Sequence, residues 1–260
     1  DLHLSIRRQR QMCIRDRIIG GNESNEIEFS SVDDSSTITI LYSNIEGGQD
    51  SIATNDNGTV TWGDGNIDVE PMFVDTANGN YHLLASSQLI NAGHPDSTDS
   101  DGSRADMGAY PYLNSYTGPT WYIETDGNDT TGTGASDSPF ASIQSAVNFA
   151  TTDGDSVTVA AGTYVENINF RGRNIKVAGA HQETTIIDGI QNGSVVTFAN
   201  GEDETASLSG FTITNGTGSI PGPGNYTRGG GITVDYNCNP TLTNMIITGN
   251  TALGLSLIHI

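Results

Sequence analysis

Basic residues are scarce in this sequence. Of 260 residues only 10 are Lys or Arg, against 31 Asp or Glu, for a formal net charge of −21 at pH 7. A field of that sign repels phosphodiester backbones and anionic head groups, which excludes nucleic acid and anionic membranes as partners. Cysteine is nearly absent: Cys13 and Cys238 are too few for a disulfide framework. No apolar run is long enough to cross a bilayer as a helix. What abounds instead is glycine, 32 residues, together with Asn, Asp, Ser and Thr. That composition suits many tight turns between short strands and argues against a helical protein.

The most ordered pattern runs from Ser138 to Thr214. Ser138-Pro139 reads as a helix N-cap followed by proline at the first helical position, and Phe140, Ile143, Val147 and Ala150 fall on one face at helical spacing. Asp153-Gly154 supplies a stop, so a short helix is expected over about 139–152. Short strands follow: Val157 to Val159, Val165 to Phe170, Ile175 to Val177, Thr185 to Ile187, Val195 to Phe198 and Phe211 to Ile213. Val157 and Val159, then Ile175 and Val177, then Val195, then Phe211 and Ile213 recur at roughly 20-residue spacing, at the low end of solenoid repeat periods. One turn of such a coil cannot bury its inward row alone, so stability must come from stacking turn on turn. The expected fold is all-β, a parallel β-helix, with the amphipathic helix covering its first turn.

The stretches Trp121-Tyr122-Ile123, Gly127-Asn128-Asp129, Pro139-Phe140-Ala141-Ser142-Ile143-Gln144 and Ala161-Gly162-Thr163-Tyr164-Val165-Glu166 resemble the N-terminal cap of the right-handed parallel β-helix superfamily. They are most similar to the DUF1565-type and pectate-lyase-like (pectin lyase-like) proteins of bacterial surfaces. The resemblance implies a right-handed coil and an extracellular or cell-surface setting; it does not imply one chemistry. The cap also resembles that of pectin methylesterases, but the Gln-Asp-Thr and Asp-Phe-Ile-Phe motifs of that family do not occur here.

The two ends look foreign to this pattern. Arg7 to Arg17 resembles a translated transposon-based sequencing adapter, and Leu255-Ser256-Leu257-Ile258-His259-Ile260 resembles the same element on the opposite strand. Arg7 to Arg17 contains no apolar run that would serve as the core of a secretory signal. Residues 1–17 and 255–260 are therefore expected to be artefact, as in a metagenomic fragment. Setting them aside leaves 5 basic and 29 acidic residues, a net charge of −24.

Between the ends, residues 18–113 read as the C-terminal end of a first β-helix unit. Glu70 to Asp75, Gly79 to Leu83, Ser87 to Gly93 and Asp106 to Tyr110 resemble the closing segment of bacterial surface β-helix proteins of the choice-of-anchor Q type, over about 70–112. Residues 114–120 have linker composition, and 121–254 read as the cap and first coils of a second unit. Within it, Leu208 to Gly216 is echoed by Leu242 to Asn250, offset by 34 residues, with Thr217 to Gly231 expected as a protruding loop between them.

Candidate chemistry concentrates in one loop. Asp96, Asp99 and Asp101, with Asp106 after them, offer the closely spaced carboxylates around a Gly turn that calcium requires, although the spacing is not that of an EF-hand. The alternative is a solvated turn with Arg104 as local counter-charge. Asp126, Asn128 and Asp129 form a weaker set of the same kind, and Glu202-Asp203-Glu204 reads as a solvated turn. A hydrolase on this fold would need Asp residues projecting from adjacent coils; the adjacent pair Asp33-Asp34 has no His nearby. A lyase would need a base beside a calcium-held carboxylate, and Arg171, Arg173, Lys176 and Arg228 stand far in sequence from any dense acidic cluster. His82, His94 and His181 are isolated and read as turn or surface residues. Tyr226, Tyr236 and Trp121 have flat faces suited to sugars. No catalytic set and no organic cofactor is expected. The expected role is that of a secreted or surface-displayed structural and binding solenoid that meets extracellular polysaccharide. The alternative is a polysaccharide lyase or glycoside hydrolase with catalytic coils outside residues 18–254.

Overall fold

The computed structural model describes residues 11–21, 25–30, 36–218 and 229–252. Asp33-Asp34, Asn225, Tyr226, Arg228 and most of the loop expected between Thr217 and Gly231 lie outside the described residues, as do the chain ends. The chain divides into two compact units, Asp1–Leu113 and Asn114–Ile260.

Among the described residues the first unit carries seven short strands that pair in parallel: β1 (Gln11–Arg15), β2 (Ile18–Ile19), β3 (Ile27–Glu28), β4 (Ser36–Leu41), β5 (Asn44–Ile45), β6 (Ile52–Ala53) and β7 (Gly58–Trp62). They form sheets in the orders β1-β4-β7, β2-β5 and β3-β6. Residues 11–15 thus lie in register with residues 37–41. Alternation places Ile38 and Ile40 inside, where they join Phe29 and Ile45 and pack against Ile14, Ile27, Val60 and Trp62. Two asparagines stitch the turns: Asn44 donates to the Val69 carbonyl and accepts from its amide, and Asn66 does the same between Ile40 and Ser43. An antiparallel pair, β8 (Phe73–Asp75) and β9 (Asn80–Leu83), precedes a strandless segment whose Leu89, Ile90 and Met107 are buried.

The second unit opens with β10 (Thr120–Ile123), then α1 (Ile143–Phe149). The strands β11 (Ser156–Val159), β12 (Gly162–Val165) and β13 (Ile168–Asn169) enter three different sheets. They are followed in the same rotation by β14 (Lys176–Gly179), β15 (Thr185–Asp188), β16 (Val196–Phe198), then β17 (Ser207–Ser209), β18 (Thr212–Thr214), β19 (Ile232–Val234), and finally β20 (Thr241–Thr243) and β21 (Ile246–Ile247). The sheets run β10-β11-β14-β17-β20, β12-β15-β18-β21 and β13-β16-β19, every pairing parallel. A mostly β chain that visits three parallel sheets in turn is compatible with a β-helix-like fold.

Register corrects the expected 20-residue row. Trp121, Val157, Val177, Leu208 and Leu242 form one inward column. Val195 precedes β16 in another sheet, and Ile213 stacks between Ile187 and Ile247 in a third. Only the step from Val157 to Val177 is 20 residues long; the steps from Trp121 to Val157, Val177 to Leu208 and Leu208 to Leu242 are 36, 31 and 34. The 34-residue echo is a true neighbour relation, with Leu208 paired to Leu242 and Ile213 to Ile247.

The helix also differs from its expected span. It is confined to Ile143–Phe149, because Phe140 is in a parallel bridge with Ile123 rather than in a helical turn. The N-cap is Ser142, not Ser138, and its hydroxyl caps nothing. All seven helical residues are buried, including Gln144, Ser145 and Asn148. Trp121, Phe140 and Phe149 stack at centroid distances of 5.3–6.4 Å and close this end of the unit. Gly134, at φ +77°, lies so near that a Cβ would stand 2.6 Å from the Phe140 ring and 2.7 Å from Trp121, so the aromatic stack requires glycine there.

Candidate functional site

The 96–106 loop is held by its own polypeptide. Asp106 is buried, and its two carboxylate oxygens accept from the amides of Asn91 and Tyr112, both at 2.7 Å. Asp99 accepts from the Asp106 amide at 3.0 Å, and Asp101 accepts from the amide and hydroxyl of Ser103. Asp96 is exposed and stands 3.9 Å from the His94 ring nitrogen. Arg104 does not act as counter-charge: its guanidinium donates to the carbonyls of Gly93 and Ala92 and lies 5.7 Å from the Tyr42 ring centroid. Burial, opposed by the two amide hydrogen bonds and reinforced by the charges of Asp99 and Asp101, pushes the Asp106 carboxyl up to about 7. Burial also raises Asp99, against the hydrogen bond from Asp106, with the nearby Asp101 and Asp16 adding to the rise.

Among the described residues no group of three or more His, Cys, Asp or Glu side chains is placed to hold a metal ion. Calcium wants six to eight oxygens converging at one point. Here Asp99, Asp101 and Asp106 each turn an oxygen to a different amide. The weaker set behaves alike: Asn128 accepts from the amides of Thr130 and Thr131, and Asp129 from those of Ala141 and Ser142 and from the Ser145 hydroxyl.

Two further carboxylates hold the second unit together. Glu166 reaches from the turn after β12 to the start of α1, where its oxygens accept from the amides of Ile143 at 2.8 Å and Gln144 at 2.9 Å. Helix N-termini leave such amides without intrahelical partners, and Ser142 leaves them uncapped, so an acid twenty residues on does the work. Burial, partly offset by those two hydrogen bonds, pushes the Glu166 carboxyl up to about 7. Glu202 corrects the expected solvated turn: it is wholly buried, and it accepts from the amides of Gly172 and Asn200 and from the Cys238 thiol at 3.2 Å. Those three partners follow β13, β16 and β19, so one carboxylate ties a single corner of three successive circuits.

The chain matches no family model, no curated protein and no solved structure. What remains is the outer surface of the β10-β11-β14-β17-β20 sheet. Beside the inward column run two columns of the other parity: Thr120, Ser156, Lys176, Ser207, Thr241, and Tyr122, Thr158, Ala178, Ser209, Thr243. Eight of these ten positions bear a hydroxyl, and Lys176 is the only charge. Adjacent strands lie about 4.8 Å apart, so the hydroxyls repeat at that step along the stack.

The remaining candidates disperse. His94 and His181 each accept the amide two residues on, as turn formers. Asn215, Asn237 and Asn244 occupy positive φ in turns. Trp121 is buried, whereas Tyr236 is 87% exposed and stands apart as a ring open to solvent. Glu166 and Glu202 are structural carboxylates that local sequence does not reveal; for Glu166 the available signal is a helix start with no acceptor of its own.

Proposed function

We propose that this chain is a secreted or cell-surface protein with a structural and binding role, built as right-handed parallel β-helix units, and that it meets a neutral extracellular polysaccharide along the outer face of its second unit. The observation that carries this is the pair of hydroxyl-rich columns on that face. In a chain with 31 acidic residues, the two columns hold no carboxylate, so they suit a polymer that offers hydroxyls and no charge. Sugar hydroxyls exchange hydrogen bonds with water for hydrogen bonds with Ser and Thr at small net gain each, and a repeating polymer multiplies that gain along a repeating face.

The test is retention of the chain on a panel of neutral and acidic polysaccharides, with reducing ends and unsaturated products followed in the same incubations. Retention is expected on neutral polymers, without products. A Thr158→Glu, Ser209→Glu variant, altered only on exposed or half-exposed positions of one column, should lose it. Equal retention of this variant removes the outer face from consideration, and turnover after purification would favour the lyase or hydrolase alternative.

A further inference from the structure

A cleft of about 930 Å³ opens on the first unit, between the parallel strands and the β8–β9 pair. Its volume suits two or three sugar rings rather than a single ion. Phe73, Tyr81 and Tyr110 line it, and the two tyrosines are half exposed, at 50% and 49%. Exposed aromatic rings usually wander, but these are propped. Phe73 meets Tyr81 edge to face at 5.4 Å, and the His82 ring lies against Tyr110 at 4.8 Å. Three carboxylates, Glu46, Asp68 and Glu70, share the lining, with Arg17 its only cation among the described residues. Asp68 and Glu70 flank Val69, whose amide and carbonyl are both tied to the Asn44 side chain, so the segment that presents them is fixed. Glu46 is fixed as well, by the Gly21 amide at 2.7 Å.

We infer that this cleft binds protonated amino sugars, such as glucosamine units in a deacetylated glycan. The hydroxyl face carries no carboxylate, whereas the cleft carries three. An amino sugar presents an apolar ring face, which stacks on tyrosine, and an ammonium, which both carboxylates and aromatic faces attract. A neutral sugar would leave the carboxylates without a charge to meet. An acidic sugar would be repelled. The cleft is a second site, independent of the outer face, and neither stands or falls with the other.

The test is titration of the full chain with glucosamine oligomers, with the fully N-acetylated oligomers and spermine as comparators. Glucosamine oligomers should bind at least about tenfold tighter than their acetylated counterparts, and binding should weaken with added salt. Asp68→Asn with Glu70→Gln, near-isosteric changes at exposed positions, should sharply reduce that preference and the salt dependence, leaving only the part due to Glu46. Tyr81→Ala with Tyr110→Ala should weaken glucosamine oligomers about tenfold or more and spermine much less, because only the sugar loses ring stacking as well as attraction of its ammonium. Thermal midpoints check that each variant is folded. Equal affinity for the amine and acetylated oligomers overturns the inference. So does a glucosamine affinity that the tyrosine variant leaves intact, because it would show nothing beyond attraction of cations to an acidic chain. Retention on neutral polymers by the hydroxyl face should be unaffected by either cleft variant.

Discussion

Leu208 and Leu242 occupy the same column of the same sheet, one circuit apart, yet Leu208 is wholly buried and Leu242 is 38% exposed. The same holds for Ile213 at 0% and its neighbour Ile247 at 53%, and for Phe198 at 0% and Val234 at 48%. In the first two pairs the side chains are identical, so residue type does not explain the difference. What differs, among the described residues, is whether a paired strand lies on both sides or on one. At the opposite end of the unit, Trp121 starts the column and is only 2% exposed, because α1, Phe140 and Phe149 stand where another circuit would. Burial in this unit is therefore a property of stacking, and the helix is the substitute for a neighbour.

The largest effect should come from exploiting that pair directly. Leu208→Ala removes a side chain packed on both sides and should cost about 2–5 kcal/mol. Leu242→Ala removes one that is already partly in water and should cost under about 1 kcal/mol. Urea midpoints followed by Trp121 fluorescence, in a Trp62→Phe background so that only the second unit reports, give both numbers. Equal losses would break the comparison.

The helix end offers the next test. Glu166→Ala leaves the Ile143 and Gln144 amides without their acceptor and should cost about 1–3 kcal/mol; Glu166→Gln keeps one acceptor and should cost less. The charge supplies a signature that packing alone does not. Because burial raises this carboxyl from its ordinary 4.5 to about 7, the folded state binds more protons than the unfolded state between those values. Its contribution therefore makes the protein less stable as pH rises from about 4.5 to about 7, and adds no slope outside that window. Subtracting the stability curve of Glu166→Gln from that of the wild type isolates the slope. A flat difference across the window would show that Glu166 is charged at no cost.

How much of this was legible in the sequence follows from the length scale of each feature. Alternation within Val157-Thr158-Val159 is local, and so is the inward parity of Val157 and Val177; Leu208, which joins their column, stands out only through its echo at Leu242. The sheet to which a strand belongs is not local: Val195 sits at the right spacing from Val177 for the same row, but the turns between them decide the column, and turn length varies freely here. The helix was visible through Phe140, Ile143, Val147 and Ala150, while its true start was hidden because a bridge between Ile123 and Phe140 displaced it. Acidic residues were the least legible. Glu202 within Glu-Asp-Glu looks solvated until Gly172 and Cys238 are brought to it from thirty or more residues away.

A smaller effect concerns the uncovered row itself. Val234, Leu242 and Ile247 together present apolar surface beside strand edges that template pairing. Sedimentation should show association that increases with concentration, and Leu242→Lys with Ile247→Lys should suppress it. A wild-type chain that remains monomeric over a hundredfold range of concentration would mean that the row is covered from within the same chain.

The smallest effect is expected at the loop of Asp96, Asp99, Asp101 and Asp106, and there the expected shift is none. A ligand that binds only the folded state raises the melting temperature in proportion to the logarithm of its concentration, so calcium in excess and a chelator should give different melts wherever a site exists. In this loop the carboxylates are turned to separate backbone amides: Asp106 serves Asn91 and Tyr112, Asp99 serves Asp106, and Asp101 serves Ser103. Coincident melts are expected for the wild type, and equally for Asp99→Ala with Asp101→Ala, though that variant should melt lower in both solutions because the loop loses two of its own clamps. Asp106→Asn separates the two accounts further. It retains one oxygen for an amide and removes a buried charge, so it should lessen the fall in stability between about pH 3.8 and 7 that the raised carboxyl imposes. A calcium-dependent shift in the wild type that Asp99→Ala with Asp101→Ala abolishes would show instead that the carboxylates turn together when the ion is offered.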